Sequence, residues 1–131
     1  MSSEYPSDLK YTKDHEWARV EGDKVRVGVT AYAVESLGDV TMVTFPPAGS
    51  ELAAAARFGE IESVKAVSEL FSPISGTIVE SNGAIDASPE IVNTAPYGEG
   101  WLLVLTPANL SELDGLMDAA AYESYVKSLD H

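Results

Sequence analysis

The chain has 131 residues, about one domain's worth, of which 45% are apolar and 22% charged, ordinary values for a globular protein. Its charge is unusual: 8 Lys and Arg against 21 Asp and Glu leave a net charge of −13, which argues against nucleic acid or an anionic membrane surface as partner, since both are bound through clustered cations. With no cysteine and two histidines, His15 and His131, disulfides, thiol nucleophiles and Cys-based metal sites are excluded, no metal site is expected, and any sulfur chemistry must come from a cofactor.

Residues 1–10 are polar, contain Pro6 and read as a flexible N-terminal arm before a single domain over residues 11–131. Val25, Val27 and Val29 alternate with Lys24, Arg26 and Gly28, the period of a strand with one buried face. Ala31 to Leu37 suits a short helix ended by Gly38. Val40 to Phe45 is a β-branched run stopped by Pro46-Pro47-Ala48-Gly49. Glu51 to Leu70 is ambiguous. Ala53 to Ala56 are strong helix formers, and Phe58, Ile61, Val64 and Val67 suit helical spacing, yet the β-branched residues, Gly59 and Pro73 argue for strands.

Gly76 to Glu80 reads as a strand, with Asn82-Gly83 expected to supply the positive φ of a tight turn. Trp101 to Leu105 reads as a strand buried on both faces. Asn109 and Glu112 resemble a capping box before Leu110, Leu113 and Leu116. Ala119, Tyr122, Val126 and Leu129 then line one face of a C-terminal helix.

Enzyme constellations are missing. Gly98-Glu99-Gly100 lacks the third glycine and the helix of a phosphate-binding turn. No serine lies in a nucleophile-elbow context. Carboxylate pairs such as Glu60 and Glu62, or Glu35 and Asp39, carry no weight in so acidic a chain, and His15 reads as a surface or strand-edge residue. Lys65 stands apart as the single cationic side chain between Arg57 and Lys127. A flexible stem and an acylable amine, set among small neighbours in an acidic field, make it a candidate attachment site.

The run Gly59-Glu60-Ile61-Glu62-Ser63-Val64-Lys65-Ala66-Val67-Ser68-Glu69-Leu70, followed by Ser72-Pro73-Ile74-Ser75-Gly76, resembles the lipoyl-attachment region of the glycine cleavage system H protein family. Tyr11-Thr12-Lys13-Asp14-His15-Glu16-Trp17 resembles the family's start and Leu37-Gly38-Asp39-Val40 its middle. Pro89 to Asn93, Pro96-Tyr97-Gly98 and Gly100-Trp101-Leu102 resemble its last third, so the likeness runs collinearly from residue 11 to about residue 126.

That resemblance implies a mostly-β fold: a lipoyl-type sandwich, or barrel-sandwich hybrid, with a C-terminal helix and short additional helices. It places Lys65 at a hairpin tip between Ile61–Val64 and Ala66–Leu70, carrying lipoate in amide linkage. It implies a non-enzymatic carrier in glycine catabolism and one-carbon metabolism. The aminomethyl group would pass from a pyridoxal-phosphate glycine decarboxylase to a tetrahydrofolate-dependent aminomethyltransferase, and the dithiol to a flavin dihydrolipoamide dehydrogenase. A relay donating lipoate to 2-oxoacid dehydrogenase complexes is the alternative within the family.

By the same resemblance, Glu62 and Gly76 are where lipoate-attaching enzymes recognise the acceptor, while Glu16, Ser36 and Glu69 line the surface against which the loaded arm folds. Ser36 is a departure, since many relatives have His there. A biotin carrier would have methionines flanking the lysine in place of Val64 and Ala66. A 2-oxoacid dehydrogenase lipoyl domain would have Asp before it and lack the N-terminal Trp motif and C-terminal helix. The start at Met1, without a secretory or Arg-rich transit segment, gives a bacterial cytoplasm as the expected location rather than a mitochondrial matrix.

Overall fold

A computed structural model describes residues 5–129. Two antiparallel layers form the body. The larger contains β1 (Lys10–Tyr11), β2 (Glu16–Glu21), β3 (Lys24–Val29), β5 (Glu51–Leu52), β8 (Gly76–Ser81) and β9 (Leu103–Pro107), in the order β1-β2-β3-β9-β8-β5. The smaller is β4 (Val40–Thr44), β6 (Arg57–Ser63) and β7 (Val67–Phe71), with β6 in the middle. The main core lies between them: Val25, Val27 and Val29 from β3, Leu103 and Leu105 from β9, and Ile78 from β8 face Val43, Ile61 and Leu70. This is the mostly-β, lipoyl-type sandwich that the resemblance implied.

Helices close the ends. In α1 (Ala31–Leu37), the Thr30 side chain accepts from the Ala33 N–H, and Gly38, at φ 80, ends the helix with its N–H on the Val34 carbonyl. Each satisfies an orphan backbone group at a helix end, and the Gly38 stop is the one expected from the sequence. Two single-turn helices follow, α2 (Ala84–Ala87) and α3 (Ile91–Thr94), then a 3-10 turn at Leu110–Gly115 and the C-terminal α4 (Ala119–Leu129). Helix α4 buries Tyr122 and Val126 in a second cluster with Leu9, Tyr11 and Trp17. Tyr5, Tyr32, Tyr97, Tyr125 and Trp101 pack around it, so it gathers all six tyrosines and both tryptophans of the chain.

Several expectations are corrected. The segment read as a flexible arm is anchored from Tyr5 on: Leu9 is buried, Lys10 pairs with Ala18, and the Tyr11 hydroxyl donates to the Pro6 carbonyl at 2.6 Å. Residues 1–4 lie outside the described residues. Gly83 has φ −64 and opens α2, with Asn82 Oδ1 accepting from the Ala84 N–H, so Asn82-Gly83 starts a helix instead of making a positive-φ turn. The last strand begins two residues later than Trp101. Asn109 caps its turn as expected, but Glu112 reaches away to the Ser75 N–H and hydroxyl, at 2.7 and 2.9 Å. Leu129, at the helix end, is exposed.

Candidate functional site

The ambiguous segment contains no helix: Glu51–Leu52, Arg57–Ser63 and Val67–Phe71 are strands, and Ala54-Ala55 lies in a turn. Strands β6 and β7 pair in register Glu62↔Val67, Ile61↔Ser68 and Glu60↔Glu69, forming a hairpin whose tip is Val64-Lys65-Ala66. The tip is closed without glycine and without positive φ. The Ser63 N–H donates to the Ala66 carbonyl at 2.8 Å, and Ser63 Oγ accepts from the Ala66 N–H at 3.1 Å. Lys65 is exposed and, among the described residues, makes no ion pair.

A second segment supports the tip from beneath. The Val64 N–H donates to the Asp39 carbonyl at 3.1 Å, tying the hairpin to the corner between α1 and β4. Asn93, on α3, fixes that corner from the far side, donating to the Gly38 carbonyl at 2.9 Å and accepting from the Val40 N–H at 2.8 Å. A Cβ on Gly38 would lie 3.6 Å from Lys65 Cε, so the lysine stem rests over a residue with no side chain. The strands and the corner therefore set where the amine starts, while its own side chain stays unencumbered.

The residues singled out in the sequence fall into different places. Glu62 faces outward beside the tip, on the face it shares with Val67. Ser36 is exposed in the last turn of α1, two residues before the Gly38 corner. Glu69 is exposed and, with Glu60, shares the Arg57 guanidinium at 3.2 and 2.9 Å. Gly76 lies in the other sheet, paired with Leu52 and Pro107. A Cβ there would sit 2.6 Å from the Thr106 carbonyl oxygen, so close strand approach requires glycine whatever else the residue does.

Glu16 corrects its expectation. Instead of lining a surface it is 1% exposed, accepting from the Phe71 N–H at 3.2 Å and the Thr12 hydroxyl at 3.0 Å. It thereby ties β2 to the end of the lysine hairpin. Burial pushes its carboxyl up to about 8, against the lowering effect of those hydrogen bonds.

His15 sits at the edge of β2, one residue before the strand begins. Half-buried at φ 71, its Nδ1 lies 2.7 Å from the Tyr122 hydroxyl, which is 2.8 Å from Thr30 Oγ1. Burial lowers its pKa, and Asp14 opposes that only in part. The supporting role of Asn93 was missed, because nothing local in Ile91-Val92-Asn93 indicates what a side-chain amide will hold 53 residues away. Among the described residues no cluster of His, Cys, Asp or Glu could hold a metal ion. None of the described helices is long and apolar enough to cross a membrane.

A small β sandwich that presents one lysine at a hairpin tip has the architecture of a lipoyl-type carrier domain. The model of the family described as Glycine cleavage H-protein matches residues 9–129, and the chain belongs to that family. A glycine cleavage system H protein of Geobacillus kaustophilus is 51% identical over 121 residues, covering 92% of this chain and 95% of the relative. That of Myxococcus xanthus is 51% identical over 128 residues, covering 98% and 99%. The crystal structure of a glycine cleavage system H protein from Mycobacterium marinum superposes with a TM-score of 0.84 at 41% identity, covering 97% of this chain and all of that one. The chain is thus a carrier component of the glycine cleavage system, in a family that bears lipoate.

Proposed function

We propose that Lys65 carries lipoate in amide linkage and that the body of the chain serves as its mount. The observation that carries this reading is the exposed amine, without an ion pair among the described residues, at a tip held by backbone bonds on two sides. The residues fit such a group, because neither Gly38 beneath nor Ala66 beside the stem crowds it. Attachment needs an activated lipoyl acyl group: the amine attacks its carbonyl carbon, the amide C–N bond forms, the bond to the leaving group breaks and the nitrogen gives up a proton. Once bound, lipoate supplies a disulfide that accepts a one-carbon unit with its amine and is regenerated from the dithiol.

The chain's own part is to bind, present and tether. By the same proposal its partners are the pyridoxal-phosphate glycine decarboxylase, the tetrahydrofolate-dependent aminomethyltransferase, dihydrolipoamide dehydrogenase and lipoate-attaching enzymes, in a bacterial cytoplasm. Tethering makes each encounter intramolecular once a partner docks. A net charge of −13 steers the carrier to partners with basic rims. The test is intact mass after expression in lipoate-competent cells. Wild type should gain one lipoyl increment and Lys65→Ala none; an unmodified wild type, or an increment that survives Lys65→Ala, overturns the assignment.

A further inference from the structure

A groove of about 470 Å³ opens between α2 and the segment leading into the last strand. Ala84, Ala87 and Ile91 line it together with Asn82, Glu99 and Trp101. Its walls are tied to each other. Asn82, 6% exposed, donates from its amide to the Glu99 and Trp101 carbonyls at 2.8 Å each, and its Oδ1 accepts from the Ala84 N–H at 3.1 Å. A Cβ on Gly100 would lie 2.5 Å from the Ile91 carbonyl oxygen, so this segment packs directly on α3. The groove is therefore preformed, and its volume is in the usual range for recognition sites, roughly 300–1,000 Å³.

Residues 82–101 contain no Lys, Arg or His. Asp86, Glu90 and Glu99 within them are exposed and make no ion pair among the described residues. One guanidinium reaches the Trp101 ring, that of Arg26 at 4.6 Å from its centroid, and Glu21 binds it at 2.9 Å. The chain thus already stacks a cation on this indole, while the Glu99 carboxylate stays uncompensated. Apolar walls suit the stem of a long basic side chain, and an indole with a carboxylate suits its charged head. A second copy of the chain is a poor occupant, because both partners would bring a net charge of −13.

We propose that this groove receives a lysine or arginine side chain of the glycine decarboxylase and is where that enzyme holds the carrier. The proposal rests on the reading of Lys65 as the lipoyl site. Helix α3 joins the two: Ile91 lines the groove, and Asn93 holds the Gly38 corner over which the Lys65 stem lies. An enzyme seated in the groove leaves the lysine tip uncovered and the arm free to reach. The decarboxylase has most need of such a hold. To it the arm comes as an uncharged disulfide and must stay while glycine reacts beside it, so the body supplies the attraction. The aminomethyltransferase meets an arm that already bears an amine, and the dehydrogenase requires only the dithiol.

The test uses the full chain, lipoylated to completion by intact mass, with purified decarboxylase and carboxyl-labelled glycine, reading labelled carbon dioxide against carrier concentration. Ala87→Arg places a resident guanidinium in the groove and should raise the KM for carrier about tenfold or more. Glu99→Gln keeps the shape and removes the charge; it should raise KM about threefold and flatten its dependence on salt. Both should keep the wild-type kcat and melting temperature. Glu51→Gln makes the same change in net charge on β5, at the opposite end of the sandwich, and should stay within twofold of wild type. With dihydrolipoamide dehydrogenase all three should match wild type.

Wild-type KM in both groove variants refutes the groove as a docking site. A rise with Glu51→Gln equal to that with Glu99→Gln refutes it too, because overall charge then accounts for the effect. Equal impairment with the dehydrogenase refutes the commitment to the decarboxylase. A wild type that takes up no lipoyl group, or a Lys65→Ala chain that supports turnover, refutes the attachment reading itself.

Discussion

Glu16→Gln tests whether a buried carboxyl sets the alkaline limit of this fold. Burial raises the Glu16 pKa from its ordinary 4.5 to about 8, so the folded chain holds a proton that the unfolded chain releases. Stability from this group is complete below pH 4.5 and is lost as pH rises through about 8. Burial lowers the His15 pKa instead, and its contribution is present above about 6.5 and lost at lower pH. The two slopes oppose each other at acid pH, and between about pH 6.5 and 8 Glu16 acts without His15. At about 1.4 kcal/mol per pH unit, that window is worth roughly 2 kcal/mol, or roughly 8 °C in melting temperature for a domain of this size. Glutamine keeps the shape and neutrality of the protonated carboxyl, its oxygen taking the Phe71 N–H. Calorimetry across this window should show wild type falling while the variant stays level. Parallel falls would refute the assignment of the slope to Glu16.

Gly76→Ala should cost about 1–3 kcal/mol, because the new methyl meets the Thr106 carbonyl within a close strand pair. Its folded fraction should still accept lipoate at the normal rate, and a defect in attachment with wild-type stability would give Gly76 a direct role in recognition. Asn93→Ala removes both bonds that hold the corner under the tip and should cost about 1–3 kcal/mol. Hydrogen exchange at the Val64 N–H should then quicken more than exchange in β3, whereas uniform quickening would mean the loss is global.

Much of the fold was legible where local signals agree with tertiary packing. Gly38 ends α1 as expected, and the Val25, Val27, Val29 alternation is the buried face of β3. The lysine hairpin was not legible from pattern, for two physical reasons. Register shifts between Arg57 and Gly59, so a bulge turns Phe58 and Ile61 toward the same core although they are three apart. A bulged strand thereby mimics the spacing of a helix. The turn also lacks Asn-Gly chemistry, because the Ser63 hydroxyl and the Asp39 carbonyl close and anchor it. Both partners depend on tertiary placement or on a side chain that many turns use differently. The burial of Glu16 and the His15–Tyr122 contact were not legible for a related cause: both arise only where β7 and α4 pack against this stretch.

The arrangement around Lys65 has a cost that clarifies its purpose. β4 and β7 are the two edges of a three-stranded sheet, and exposed apolar residues at sheet edges invite unwanted pairing. Arg57 with Glu60 and Glu69 places charge on the middle of that face, yet nothing comparable screens Val64, Val67 and Met42 at the tip. A tip built only to hold an amine outward would work as well with polar neighbours, since Ser63, Asp39 and the strand ladder already fix its backbone. Among the described residues, Val64, Val67 and Met42 belong to neither buried cluster. Exposed apolar side chains grouped in this way leave water only when another surface covers them.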